Sequence, residues 1–145
     1  MKTNRVFWDA SAIVPTCVHE ADSTRARQLL RKYSRQVVWW GTIAEARSAF
    51  ARAIRKGLLN PNDKQRALQQ LERLRKKWIE ILPDSDLRDL AVELLDDYPL
   101  RTGDALQLAA ALISCNKNPH RRVFVCFDDR LATVAEDVGF NVIKS

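Results

Sequence analysis

Four carboxylates in this chain lie next to apolar sequence rather than in charged stretches. Asp9 and Asp128 each follow an apolar run, in "VFWD" and "VFVCFD". Asp104 begins the strongly apolar segment "ALQLAAALI", and Glu45 lies beside apolar residues in "TIAEARSAF". Because Asp and Glu are seldom fully buried without a partner, these four positions point to a shared chemical role.

The chemistry that suits such a set is the binding of a hard divalent cation. Carboxylates that meet in a half-buried space repel one another and raise one another's pKa. A divalent cation removes that repulsion. Mg²⁺ binds a few carboxylates and keeps positions for water and phosphate oxygens, and Mn²⁺ accepts similar ligands. The four acids therefore predict a site for Mg²⁺ or Mn²⁺, provided that the fold brings them together.

The predicted elements supply a reason for two of the acids to meet. Apolar runs predict strands at 5–8, 36–40, 122–127 and 140–143. Helices are predicted between them, and residues 42–116 are expected to be almost all helix. Strands that alternate with helices are typical of a parallel sheet covered on both faces. Ligands bind at the carboxyl ends of such strands. If the strands before Asp9 and Asp128 are neighbours, both carboxylates therefore face one small volume.

Composition limits the class of protein. The chain has 145 residues, 46% of them hydrophobic, so residues 1–145 are expected to form a single domain. No apolar run approaches membrane-spanning length, and Asp9 interrupts the segment that a signal peptide would need. Three cysteines without metal spacing predict reduced thiols in a cytoplasmic protein. The formal net charge of +6 suits a polyanionic partner.

The four acids also stand in the order of a known family's motifs. The chain resembles PIN-domain ribonucleases, especially the VapC-like toxins of bacterial and archaeal toxin–antitoxin pairs. The resemblance rests on Asp9-Ala10-Ser11, on Glu45 in "IAEARSAF", on Thr102-Gly103-Asp104 before an alanine-rich run, and on "VFVCFDDRL" around Asp128. The chain departs from the family's common pattern at Cys126, Gln107 and Asp129.

This resemblance implies a fold and an activity. The fold would be a three-layer α/β/α sandwich around a parallel sheet of four to five strands. The activity would be metal-dependent endoribonuclease cleavage, in which the metal makes a water molecule more acidic and neutralises phosphate charge. The implied ligands of one or two Mg²⁺ or Mn²⁺ ions are Asp9, Glu45, Asp104 and Asp128, with Ser11, Thr102 and Asp129 as supporting groups.

Partners follow from the same resemblance. An RNA substrate, a cognate antitoxin protein and a second copy of the chain in a homodimer are expected, and no membrane. Three arginines near the motif acids in sequence are candidates for phosphate contacts, namely Arg47, Arg101 and Arg130.

Other interpretations remain open from the sequence. Asp9, Asp128, Ser11 or Thr102 could each cap a helix. A PIN-like fold with a silent site could bind RNA or a protein partner without catalysis. An enzyme that forms an aspartyl-phosphate on Asp9 is a third reading, although such enzymes carry a second Asp where this chain has Ser11.

Overall fold

A computed structural model describes residues 5–145, so residues 1–4 of the expected single domain lie outside the described part. The strands are β1 (Arg5–Trp8), β2 (Arg35–Trp39), β3 (Ile79–Ile81), β4 (Val123–Val125) and β5 (Asn141–Ile143). The helices are α1 (Ala10–Cys17), α2 (Ser23–Lys32), α3 (Thr42–Arg55), α4 (Pro61–Arg75), α5 (Ser85–Asp97), α6 (Thr102–Ser114) and α7 (Asp129–Val138).

The sheet is parallel throughout and has the strand order β3-β2-β1-β4-β5. The chain builds outward from β1 to β3 and then returns to place β4 on the other side of β1. The strand order therefore reverses between β1 and β4, which is where open parallel sheets bind ligands. The two strands do prove to be neighbours, and their pairing extends to the first acid, because Asp9 N donates to Val125 O at 2.9 Å.

Both faces of the sheet are buried, which confirms the expected α/β/α sandwich. Val6 and Trp8 belong to a core cluster shared with α1 to α4. Phe7, which lies between them in sequence, belongs to a second cluster shared with α5, α6 and α7. Successive side chains of a strand point to opposite faces, so one short apolar run supplies both cores.

The helix boundaries follow from local capping. Asn60 Oδ1 accepts a hydrogen bond from Asp63 N at 2.8 Å, and Pro61 begins α4. Gly57, just beyond α3, and Gly139, at the end of α7, have φ values of +72° and +119°. Glycine adopts this left-handed conformation at little cost. These predicted ends of helices are confirmed.

Two details differ from the prediction. β3 interrupts the stretch expected to be almost all helix, and it forms an edge strand paired with β2 alone. The strand predicted at 122–127 ends earlier, at Val125, because Phe127 N donates to Ser11 Oγ at 2.9 Å rather than to another strand.

The state of the cysteines and the length of the helices can be compared with the predictions made from composition. Cys17, Cys115 and Cys126 are free and buried, as expected. Within residues 5–145, none of the helices combines the length and the apolar character needed to cross a membrane.

Candidate active site

All four predicted carboxylates line one open cavity of about 410 Å³, which we call the carboxylate cavity. Asp9 and Asp128 follow the adjacent strands β1 and β4. Glu45 lies in the first turn of α3, and Asp104 lies in the first turn of α6. The strand-order reversal and two helix N-termini therefore bring together acids that are far apart in sequence.

Two of the carboxylates cap helices. Asp9 Oδ2 accepts from Ser11 N at 3.0 Å at the start of α1. Asp128 Oδ1 accepts from Leu131 N at 3.0 Å at the start of α7. The capping interpretation of both residues is thus confirmed, whereas Ser11 and Thr102 lie inside helices and are not the capping residues.

The other two carboxylates are also oriented by a donor. Asp104 Oδ2 accepts from Arg101 N at 3.3 Å, and Glu45 Oε2 accepts from Gln107 Nε2 at 3.2 Å. Throughout residues 5–145, hydrogen bonds engage one oxygen of each of the four carboxylates. Capping and ligand binding are therefore compatible, because the second oxygen of each group is available to a ligand.

Burial makes Asp9 reluctant to ionise. Its residue is only 5% exposed, and that burial is the main cause that raises its pKa from 3.8 to about 6. The hydrogen bonds from Ser11 oppose the rise, whereas the charges of Asp128 and Asp104 add to it. A buried carboxylate faced by other carboxylates is a group whose charged form needs a cation.

Glu45 and Asp104 show the same mutual repulsion. Burial, and then the charges of Asp9 and Asp104, raise the pKa of Glu45 from 4.5 to about 7, while the Gln107 hydrogen bond lowers it. Burial also raises the pKa of Asp104, and the charge of Asp128 adds to the rise. Strongly perturbed acids in a cleft are typical of functional sites.

The donor set suits a hard divalent cation, but the side chains are not already gathered around one. Within the described residues, no three His, Cys, Asp or Glu side chains stand close enough to hold a metal ion. Carboxylates that repel one another are expected to stay apart until a cation draws them in. The oxygen-only donors, their free second oxygens and the raised pKa values of Asp9, Glu45 and Asp104 together fit Mg²⁺ or Mn²⁺.

Only some of the predicted supporting residues line the cavity. Ser11 and Arg101 do. Thr102, Asp129, Arg47 and Arg130 are exposed and are not part of its lining. Arg130 still lies near enough for its charge to lower the pKa of Asp104.

Several residues of the site were missed at the level of sequence. Ser48, Ala49 and Arg52 line the cavity and follow Glu45 at helical spacing, so the face of α3 could have identified them. Val14 and Glu20 also line it.

Gln107 is the least expected member of the site. It is 1% exposed and lies in the apolar helix α6. Its Nε2 donates both to Thr42 Oγ1 at 3.0 Å and to Glu45 Oε2 at 3.2 Å. The sequence signals of this role were the polar side chain within the apolar segment "ALQLAAALI" and the departure from the family's pattern at Gln107.

Comparisons with known proteins agree with this fold. The family model of the PIN domain matches residues 6–137. A toxin–antitoxin complex from Klebsiella pneumoniae has a similar chain, with 16% identity, a TM-score of 0.60, and coverage of 86% of this chain and 88% of that one. PAE2754 from Pyrobaculum aerophilum is similar with 18% identity, a TM-score of 0.65, and coverage of 97% and 88%. The comparison with curated proteins found no match.

Proposed function

This chain belongs to the PIN domain family, and from that premise we propose that it is a metal-dependent endoribonuclease, the cytoplasmic toxin of a toxin–antitoxin pair. The observation that carries the proposal is the carboxylate cavity at the strand-order reversal. Four acids each offer a free oxygen there, and the charges of neighbouring carboxylates oppose the ionisation of Asp9, Glu45 and Asp104. We take residues 1–145 to be one nuclease domain.

The four acids Asp9, Glu45, Asp104 and Asp128 would hold one or two Mg²⁺ or Mn²⁺ ions. A bound divalent cation supplies a more acidic water and neutralises charge on a phosphate. The protein's own groups orient the carboxylates that would bind the cation. The backbone N–H groups of Ser11, Leu131 and Arg101 fix three of the carboxylates through one oxygen each.

Positive charge at the cavity would hold the phosphate. Arg52 and Arg101 line the cavity, and guanidinium groups suit phosphate oxygens because they can donate two parallel hydrogen bonds. Neither His19 nor His120 lines it. A histidine general base therefore has no part in the proposed mechanism.

The partners are proposed on the same basis. The similar chain in a toxin–antitoxin complex supports a cognate antitoxin, and the acidic cavity favours an antitoxin that presents a basic side chain to it. Co-purification with the product of a neighbouring gene tests this. Trp40 and Leu82 are exposed beside edge strand β3 and support a homodimer, which light scattering tests.

The function is tested by cleavage of a total-RNA preparation with Mn²⁺, beside an EDTA control and an Asp128→Asn variant. Asn caps helices as well as Asp, so this variant should fold while losing one charge. Asp84→Asn is the matched control, because Asp84 caps α5 through a hydrogen bond from Leu87 N at 2.8 Å and does not line the cavity.

The expected result is discrete RNA fragments from the wild type and from Asp84→Asn, and none with EDTA or with Asp128→Asn. Cleavage that survives in Asp128→Asn would contradict the assigned site. RNA binding without cleavage, unaffected by EDTA, would favour a silent binding module instead.

A further inference from the structure

A second cavity, of about 310 Å³, lies beyond the carboxyl-terminal end of α1 and is rich in arginine. We call it the basic pocket. Its floor is the end of α1, from Thr16 to Val18. Its positive side chains are Arg27 of α2 and Arg66 and Arg73 of α4. A cavity of this size suits one ionic group with a small neighbouring fragment.

Two of these arginines converge without an acidic partner. Arg66 pairs with Asp63 at 3.6 Å, but none of the salt bridges formed within residues 5–145 includes Arg27 or Arg73. Arg27 Nη2 donates to Val18 O at 3.2 Å, and Arg73 Nε donates to Gln70 Oε1 at 3.1 Å. Each guanidinium is therefore held in place while its remaining N–H groups stay available.

The thiol of Cys17 shows that the two charges act on the same spot. Burial raises the pKa of this thiol to about 11, and the positive charges of Arg27 and Arg73 both oppose the rise. Two like charges from separate helices that face one place repel each other unless an anion lies between them. Arg27 and Arg73 are therefore placed to bind one anion together.

The remaining lining limits the ligand further. Leu58 is 75% exposed at the rim, and Leu59, Val18 and Cys17 add apolar surface. The ligand should thus combine a phosphate-like anion with a less polar part, as a nucleotide unit does. Arginine binds phosphate oxygens in a bidentate manner.

The position of the basic pocket relative to the carboxylate cavity favours a nucleic-acid strand. Helix α1 connects them, because Asp9 and Val14 line the first cavity and Thr16 to Val18 line the second. Along a helix, the step from Asp9 to Cys17 spans about 12 Å. Without a bound cation, the five acids of the carboxylate cavity outnumber its two arginines, so an RNA strand gains from a positively charged contact outside that cavity.

We propose that the basic pocket binds a backbone phosphate of the RNA strand, a few nucleotides from the bond held at the carboxylates, an inference that rests on the proposed nuclease function. The strand would follow α1 from one cavity to the other. Arg27 and Arg73 would contact the phosphate, and the neighbouring sugar or base would lie against Leu58 and Leu59.

The test is the salt dependence of RNA binding. Binding of a fluorescent single-stranded RNA oligonucleotide of random sequence is measured by anisotropy in the Asp128→Asn background, so that cleavage does not interfere. The pocket variant is Arg27→Gln with Arg73→Gln. The control is Arg31→Gln with Arg75→Gln, which removes the same charge from the same two helices at residues outside the pocket.

The expected result separates the two variants. The pocket variant should bind RNA about tenfold more weakly, as expected for lost hydrogen bonds to a charged group. The slope of log K against log salt should fall by about 0.7, the value for one phosphate contact on a single strand. The control variant should keep the parent slope.

Equal losses in both variants would show a general charge effect and would overturn the proposal, as would a parent slope in the pocket variant or no RNA binding at all. A polyglutamate peptide that loses binding only in the pocket variant, with RNA binding unchanged, would also overturn it and would indicate an acidic protein partner. The total-RNA cleavage assay is independent of these outcomes, so failure of the pocket and failure of the nuclease function are distinguishable.

Discussion

Replacing Glu45 by Gln should stabilise the metal-free protein, and the gain should depend on pH. Glu45 in the folded protein has a pKa of about 7, because burial and the charges of Asp9 and Asp104 disfavour its ionised form. In the unfolded chain its pKa returns to the ordinary value of 4.5. The folded state therefore keeps a proton that the unfolded state has released, and stability falls as the pH rises through this window.

The magnitude follows from the width of the window. Below pH 4.5 the carboxyl group is protonated in both states and contributes nothing to the pH dependence. Above pH 7 its full cost is present, and the interval from 4.5 to about 7 corresponds to about 3 kcal/mol at about 1.4 kcal/mol per pH unit. Near pH 5 the cost should be less than about 1 kcal/mol by the same relation.

Urea unfolding in EDTA measures the effect. Glu45→Gln should exceed the wild type in free energy of unfolding by up to about 3 kcal/mol near pH 8 and by much less near pH 5. Glu93→Gln, an exposed position on α5, is the control and should show little difference at either pH. A Glu45→Gln variant that is no more stable than the wild type near pH 8, or whose gain is independent of pH, would refute the reasoning.

Three further predictions concern the metal, the support of Glu45 and the core. Mn²⁺ at a hundredfold excess over Kd should raise the free energy of unfolding of the wild type by about 2.7 kcal/mol. In Asp104→Asn the rise should be smaller, and an identical response of the two proteins in thermal unfolding would contradict the assignment of Asp104 as a ligand. Gln107→Leu should lower the free energy of unfolding by about 1–3 kcal/mol, because Thr42 and Glu45 lose their buried donor; unchanged stability in urea would show that these hydrogen bonds contribute little. Leu108→Ala, at a fully buried position of α6, should cost about 2–5 kcal/mol, whereas a cost below about 0.5 kcal/mol, typical of surface changes, would be inconsistent with its place in the core.

The acids of the site could be predicted because each one breaks a local pattern. Asp9 and Asp128 follow apolar strand sequences, Asp104 precedes the apolar segment of α6, and Glu45 lies beside apolar residues of α3. Their meeting depended on one fact that local sequence does not contain, namely that β4 pairs with β1. Strand order is set by long-range packing, so the proximity of Asp9 and Asp128 could be predicted from the sequence only on the condition that their strands are neighbours.

The missed features have physical causes of the same kind. β3 has three residues at a sheet edge, too few to show the alternation that identifies a strand. Arg27 and Arg73 look like ordinary charges on solvated helix faces, and they converge only because α2 and α4 both pack against α1. Gln107 is the one polar residue of the apolar segment "ALQLAAALI", and its partners lie on another helix.

The most direct measurement is a Mn²⁺ titration followed by NMR of the isotopically labelled, metal-free protein. Mn²⁺ is paramagnetic and broadens the signals of nuclei near its site. The backbone amide signals of Ser11, Glu45, Ala105 and Asp129 should disappear first, at Mn²⁺ well below one equivalent, and before those of Cys17 and Ile79. Broadening centred elsewhere, or spread evenly over the chain, would contradict a metal site formed by the four carboxylates.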